Sequence, residues 1–150
     1  MTLPAAFDQI QWLGFGPGES YPDSRQAARF GRFCARLDDL YTPYTFPQEN
    51  GNRSDCRWVS LTDPHGRGLW VDGSPTINFS AHWFTTKDLE NARHTHELKR
   101  RDFITLNLDY RQNGIGSASC GPGVLPQYEL HPEEFRFAVT LQPVLGFAES

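Results

Sequence analysis

The 150-residue sequence has little cysteine, little methionine and no long apolar run. Its cysteines, Cys34, Cys56 and Cys120, are odd in number and irregularly spaced, and none forms a Cys-x-x-Cys pair. This excludes a disulfide framework and favours a reducing, cytoplasmic setting. The first residues contain no basic segment followed by an apolar stretch, so neither secretion nor membrane insertion is indicated.

Strong positive charge is also absent. The formal net charge is -4, and the 14 basic residues are spread along the chain. The one basic cluster, Lys99-Arg100-Arg101, is too short for a polybasic patch, which argues against nucleic acid or a membrane surface as the main partner. A chain of this length predicts one domain with a real core, spanning residues 1–150.

The sequence is rich in turn-forming and aromatic residues. Thirteen glycines and eleven prolines separate short segments rich in aromatic and β-branched side chains, which is typical of an all-β domain. Asp63-Pro64-His65-Gly66 predicts a hairpin turn between two of these segments. The predicted strands cover residues 7–15, 57–61, 68–72, 76–80, 103–110, 127–130 and 135–141.

Two segments have helical patterns. Near residues 85–93, Thr85 and Asp88 form the start of a capping box, so we predict one short helix there. Residues 27–41 carry apolar side chains at helical spacing, and this pattern alone leaves helix or strand open.

Residues 41–53 crowd polar side chains around a turn. Pro43 and Pro47 force extended chain, and Asn50-Gly51 is a strong turn dipeptide. The segment is either a site or a scaffold element.

Several residues are candidates for chemistry. His94 and His96 would share one face of a strand and could bind a metal, or form ordinary hydrogen bonds. The neighbouring pairs Asp38-Asp39 and Glu133-Glu134 lack the separation that a glycosidase needs. The four tryptophans fit core packing better than sugar stacking.

A glycine-rich segment, residues 114–123, is the most interesting candidate. It reads Gly-Ile-Gly-Ser-Ala-Ser-Cys-Gly-Pro-Gly, and its small side chains allow a ligand to approach the backbone closely. A long hairpin connection is the alternative. Cys120 has no histidine nearby in sequence, so a nucleophilic role is not indicated.

The chain resembles a known family in the order and spacing of its motifs, over about residues 3–143. These motifs are Trp-Leu-Gly-Phe-Gly-Pro-Gly-Glu-Ser-Tyr-Pro-Asp (12–23), Asp-Leu-Tyr-Thr-Pro-Tyr (39–44), Pro-Gln-Glu-Asn-Gly-Asn-Arg (47–53), Arg57-Trp58, Asn-Phe-Ser (78–80), His-Thr-His-Glu-Leu (94–98), Leu-Asn-Leu-Asp-Tyr (106–110) and the glycine-rich segment. The family is the C-terminal domain of the large bacterial β-galactosidases of glycoside hydrolase family 2. The resemblance implies an all-β, antiparallel β-supersandwich, related in fold to galactose mutarotase and only partly present, with residues 27–41 as strand and loop.

The resemblance also implies where the chemistry lies. The catalytic glutamates and the magnesium and sodium ions belong to a barrel domain that this chain lacks. The chain therefore needs no cofactor of its own and is not expected to hydrolyse lactose-type galactosides alone. Its expected partners are a β-galactosidase large chain or catalytic barrel, further copies of itself, and galactosides.

One loop of the family's terminal domain reaches the active site. The matching residues here are Gly116, Ser117, Ala118, Ser119, Cys120, Gly121 and Pro122. The best-known members place a sugar-stacking tryptophan where this sequence has Cys120, so the stacking role does not carry over.

The chain matches the C-terminal half of a terminal domain that is nearly twice as long. This leaves three interpretations: a fragment or small subunit of a β-galactosidase, a stand-alone carbohydrate-binding β-sandwich, and a non-functional gene remnant.

Overall fold

The computed structural model describes residues 1–116 and 121–146. It confirms an all-β, antiparallel fold with seven strands in the described residues. They are β1 (Thr2–Pro4), β2 (Gln9–Gly16), β3 (Arg29–Arg36), β4 (Arg53–Thr62), β5 (Arg67–His82), β6 (Phe103–Asp109) and β7 (Ala138–Leu145). The strand order is β1-β6-β5-β4-β2-β3, and β7 also pairs with β5. Among the described residues, no helix has the length and apolar character that crossing a membrane requires.

Strand β5 pairs with β4 along one side and with both β7 and β6 along the other. Its first half pairs with β7, from Arg67 opposite Leu145 to Ser74 opposite Ala138. Its second half pairs with β6 on the same side, beginning at Asn78. The two strands predicted at residues 68–72 and 76–80 are therefore one continuous strand of 16 residues.

The core lies on one face of a curved sheet. Ile10 and Trp12 of β2 are buried and stand in register with Leu61 and Val59 of β4. The Trp12 ring also lies 5.9 Å from the ring of Phe79, in the second half of β5, although β2 and β5 do not pair. The sheet therefore bends around a single apolar cluster, as in a sandwich.

Residues 27–41 form strand and a 3-10 turn, as the family resemblance implied. All eight residues of β3 pair with β2, from Gln9 opposite Arg36 to Gly16 opposite Arg29. A 3-10 helix at Leu37–Leu40 follows and buries both of its leucines. The helical spacing of apolar residues is overridden because β2 supplies a complete backbone ladder for this segment.

The short helix is confirmed as α1 (Thr86–Asn91). The Thr85 hydroxyl accepts a hydrogen bond from the Asp88 N–H at 3.1 Å, and the Asp88 carboxylate accepts from the Thr85 N–H at 2.9 Å. This is the reciprocal capping box that the sequence predicted.

The predicted turn at residues 63–66 is also confirmed. The Gly66 N–H donates to the Asp63 carbonyl at 2.9 Å, and Gly66 has a positive φ of 75°. The Asp63 N–H donates to the Arg67 carbonyl at 2.8 Å, so the odd-numbered residues of β5 direct their backbone groups towards β4. Pro143 lies opposite Leu69, and its backbone therefore points away from β5, where its missing N–H costs no ladder bond.

Near the C-terminal end, one strand prediction was wrong and another was shifted. Residues 127–130 are not a strand, because Pro126 begins a 3-10 helix in which the Tyr128 N–H donates to the Leu125 carbonyl at 2.8 Å. The strand predicted at 135–141 lies at Ala138–Leu145 instead. The proline at position 143 does not end the strand, because its backbone points away from β5.

The 41–53 segment acts as a scaffold element. The buried Asn50 side chain accepts from the Thr42 N–H at 3.1 Å and donates to the Gln48 carbonyl at 2.9 Å. Asn50 in turn offers its carbonyl oxygen to the buried ring of His82, 2.9 Å from Nε2, and so joins the segment to β5. The Asn50 side chain and carbonyl therefore stabilise the 41–53 segment and fix it to β5.

His82 gives this region a pH dependence. A carbonyl oxygen only accepts, so His82 Nε2 carries a proton that it donates to Asn50. Burial lowers the pKa of His82 below its ordinary value of 6.5, and the nearby Arg53 charge lowers it further. The Asn50 carbonyl and Glu19 raise the pKa, but by less. Because the unfolded chain then binds more protons than the folded chain, acid favours unfolding.

We therefore expect the contribution of His82 to the free energy of unfolding to be fully present above pH 6.5. It is expected to be lost as the pH drops below that value. In urea titrations between pH 7.5 and 5.5, His82→Gln is expected to flatten this slope. The exposed His131→Gln serves as the control and is expected to retain it. Equal slopes for the wild type and His82→Gln would contradict the assignment.

Candidate functional site

Near its start, the glycine-rich segment is held by hydrogen bonds to Asp23. The Gly116 N–H donates to Asp23 Oδ2 at 2.6 Å, and the Ile115 N–H lies 3.3 Å from Asp23 Oδ1. Gly116 has a φ of +61°, a backbone conformation that favours glycine. A carboxylate from a distant part of the chain thus holds the entry of the segment.

The base of the segment is closely packed. The Gly114 N–H donates to the Tyr128 carbonyl at 2.9 Å. A Cβ at Gly114 would lie 2.9 Å from Val124 Cγ1 and 3.1 Å from Asp23 Cγ, so a larger residue would push these neighbours apart. The Asn113 side chain accepts from the Leu130 N–H at 2.7 Å. Residues 113–116 and 124–130 therefore support each other.

The candidate loop residues are only partly covered. Gly116, Gly121 and Pro122 are described, while Ser117, Ala118, Ser119 and Cys120 lie outside the described residues. Gly116 and Pro122 line a groove of about 310 Å³, together with Asp23, Leu125 and Tyr128. Gly121 and Pro122 are exposed. The loop therefore leaves and re-enters the fold beside an accessible groove.

A second groove of about 350 Å³ shares Tyr128 with the first. Its lining is strongly polar and includes Asn78, Gln112 and Glu129. An ion pair between Arg25 and Asp55 also borders it. Polar side chains with both donors and acceptors suit hydroxyl-rich ligands.

Two carboxyl groups near β5 have altered acidity. Burial raises the pKa of Glu49 and that of Asp109, and the Asp109 charge raises the pKa of Glu49 further. Each also has a hydrogen-bond donor: Ser80 Oγ lies 3.4 Å from Glu49 Oε1, and Gln112 Nε2 lies 2.8 Å from Asp109 Oδ2. Glu49 lies in the polar 41–53 segment and Asp109 in the 106–110 motif, but the altered acidity of both groups was not predictable, because their burial depends on segments distant in sequence.

The two histidines proposed as metal ligands do not lie on a strand. Residues Thr95–Glu97 form a 3-10 turn, in which the rings of His94 and His96 stack 5.5 Å apart. Across residues 1–116 and 121–146, no group of three or more His, Cys, Asp or Glu side chains is arranged to hold a metal ion.

The four tryptophans divide into two pairs. Trp12 and Trp83 are buried, as the packing interpretation predicted. Trp58 and Trp70 are half-buried on the opposite face of the sheet, with ring centroids 4.2 Å apart and nearly parallel planes.

Asp23 is the functional-site residue that the sequence analysis did not single out. It ends the motif Tyr-Pro-Asp at residues 21–23, and a proline followed by aspartate is a turn signal. Its two contacts are with residues 92 and 93 positions later, so no local pattern connects it to the loop.

The fold and site define an antiparallel β-sheet domain in which both ends of a glycine-rich loop border one groove, and a second, polar groove adjoins it at Tyr128. The family model described as Beta galactosidase small chain matches residues 1–141, and the chain belongs to this family.

Curated relatives agree with the family match. The β-galactosidase of Pseudoalteromonas haloplanktis is 38% identical over 134 residues, which are 89% of this chain and 12% of that protein. The β-galactosidase of Arthrobacter sp. (strain B7) is 38% identical over 138 residues, covering 89% of this chain and 14% of that protein. The β-galactosidase of Kluyveromyces lactis is 34% identical over 140 residues, covering 93% and 13%. The chain thus spans only a small part of the length of these relatives.

Proposed function

We propose that this chain is the small-chain part of a β-galactosidase, corresponding to the C-terminal half of its terminal domain. In this proposal it supports the retaining hydrolysis of terminal β-D-galactosides by a catalytic barrel on another domain or chain, and it lends one loop to the active site. The family match over residues 1–141 is the observation that carries the proposal. The 12 to 14% share of the relatives' length is consistent with an accessory role.

The proposed active-site loop is Gly116–Pro122. Asp23 is the positioning residue of this loop, because its carboxylate accepts hydrogen bonds from the backbone N–H groups of Ile115 and Gly116 at the loop entry. A loop that borders a sugar site must be held in place, since small displacements from the productive geometry cost catalytic rate. The fixed entry at Gly116 and the groove beside Pro122 support this role.

The division of labour follows from the chemistry. A retaining glycosidase needs two carboxyl groups about 5 to 5.5 Å apart on either side of the glycosidic bond. In this proposal both come from the barrel, and the loop narrows the space in which the leaving sugar or an acceptor lies. Cys120 gives no aromatic platform, so we propose weaker binding of the aglycone than in members with tryptophan there.

A chimera tests the proposal. In the β-galactosidase of Arthrobacter sp. (strain B7), the 138-residue segment that matches this chain is deleted, or replaced by this chain. We expect the deletion to abolish hydrolysis of nitrophenyl β-galactoside and the replacement to restore it. The isolated chain is expected to be inactive. Activity from the isolated chain, or a folded chimera without activity, would overturn the proposal.

Asp23→Ala in the active chimera tests the positioning role. Loss of the Asp23 carboxylate is expected to lower kcat/KM about tenfold or more, because the shorter bond, to the Gly116 N–H, alone is worth about 1.5 to 3 kcal/mol as a bond to a charged group. The control is Asp102→Ala, which removes an exposed carboxylate elsewhere and is expected to be neutral. Thermal unfolding of both variants separates loop displacement from unfolding. An unchanged kcat/KM in Asp23→Ala would refute the positioning role.

A further inference from the structure

The face of the sheet opposite the core carries an ordered set of side chains. The pairing registers place Gln9, Thr62, Gly68 and Val144 side by side across four strands. In the next row, Gln11, Ser60, Trp70 and Gln142 are aligned in the same way. Since every second residue of a strand faces the same side, both rows lie on one surface.

A groove of about 300 Å³ runs along these two rows. Its lining includes Gln9, Gln11, Ser60, Thr62, Trp70 and Val144. Gly68 lies between Thr62 and Val144, and it contributes no side chain that would fill the space.

Trp70 forms an aromatic wall whose orientation is fixed. Its Nε1 donates to Asp72 Oδ2 at 2.9 Å, and the same oxygen accepts from Gln142 Nε2 at 3.3 Å. Trp58 stacks on one face of the Trp70 indole and does not line the groove, whereas Trp70 does. A ring fixed in this way loses little conformational entropy on binding a ligand.

The polar part of the lining is uncharged. It consists of two amides and two hydroxyls, which offer both donors and acceptors, and no charged side chain lines the groove in this part of the chain. Arg32 lies just beyond and donates to Gln11 Oε1 at 2.9 Å, which orients the Gln11 amide and leaves its N–H groups for a ligand.

We propose that this groove binds a neutral saccharide. One pyranose ring lies against the Trp70 indole, and its hydroxyls bond to Gln9, Gln11, Ser60 and Thr62. An apolar sugar face matches the aromatic wall, and neutral hydroxyls match uncharged amides and hydroxyls. Anionic sugars gain no cationic partner inside the groove and bind more weakly.

This groove is separate from the proposed active-site loop. It lies at the Gln9 end of β2, whereas the segment that contains Asp23 follows the Gly16 end. Eight strand residues span roughly 23 Å. The proposal therefore concerns a second sugar contact, and it does not depend on the chain's part in hydrolysis.

Binding is measured by calorimetry on the full 150-residue chain, with lactose and cellobiose as neutral probes and galacturonate as the anionic comparison. We expect saturable binding of at least one neutral probe, and Trp70→Ala is expected to weaken it tenfold or more. Phe30→Ala is the matched control, because Phe30 is an aromatic residue with 48% exposure on β3, outside the groove. It is expected to leave the affinity unchanged.

Gln11→Ala provides a second test that leaves the aromatic wall in place. Loss of about one hydrogen bond is expected to weaken neutral-sugar binding about fivefold. Circular dichroism of each variant checks that the fold is retained. The proposal is overturned if the folded wild type binds neither neutral probe, if galacturonate binds best, or if folded Trp70→Ala and Gln11→Ala both bind like the wild type. The chimera's hydrolysis rate is a separate readout, so either proposal can fail alone.

Discussion

Arg53→Ala is expected to lower the free energy of unfolding by about 3 kcal/mol or more, because it leaves three carbonyls without their donor, at about 1 to 3 kcal/mol for each buried group left unsatisfied. Arg53 has an exposed fraction of only 3%. Its Nη1 donates to the carbonyls of Leu40 (3.1 Å) and Gly51 (2.7 Å), and its Nη2 donates to that of Pro17 (2.9 Å). Burial lowers the pKa of Arg53 to about 10, which still leaves it charged at neutral pH. Alanine would leave three carbonyls without this donor.

Denaturant titration at pH 7.5 measures the loss. Arg57→Ala is the matched control, because Arg57 is an exposed arginine on the same strand, β4, and its removal is expected to change stability by less than about 0.5 kcal/mol. Arg53→Lys is expected to be intermediate, since an ammonium keeps the charge but lacks the planar fork. A loss below 1 kcal/mol for Arg53→Ala would show that the three carbonyls find other donors.

Trp12→Ala is the second substitution with a large expected effect. Trp12 is fully buried, and its ring centroid lies 5.4 Å from that of Phe33. Its Nε1 donates to the Phe15 carbonyl at 3.1 Å. Replacing a buried tryptophan by alanine removes apolar contacts and leaves a cavity, so we expect a loss of about 3 to 5 kcal/mol.

Thermal unfolding measures this loss. In a chain of this size each kcal/mol shifts Tm by about 2 to 4 °C, so a decrease of about 10 °C is expected. Trp58→Ala is the control, because it removes the same side chain type from a half-buried position on the opposite face. It is expected to shift Tm by much less. Equal Tm shifts for the two variants would contradict the assignment of the core to the Trp12 face of the sheet.

The sequence predicted the sheet best where one face is buried. In β6, alternation is strict, and Ile104 and Leu106 are buried, so the period-two pattern was read correctly. Periodicity alone left residues 27–41 open between helix and strand, because Phe30 and Phe33 lie on opposite faces of an edge strand. An edge strand with apolar residues on both faces has no period of its own, and pairing with β2 determined its structure.

The candidate site was predictable only in part. Its glycines mark the loop, because close packing and positive φ values need them. The anchor at Asp23 depends on a contact across most of the chain, which the sequence does not encode locally. The groove beside Trp70 likewise arises from a register between four strands.

From the position of β5 in the sheet we also expect a particular order of folding. The β4–β5 hairpin closes through the short turn at Asp63, so its contacts are local and can form early. Strand β1 must instead pair Thr2 with Thr105, and β7 must bring Leu145 back to Arg67. Closing such long loops is slow, because chain entropy is lost before the contacts compensate for it. We therefore expect both strands to join β6 and β5 late, after the β4–β5 hairpin has formed.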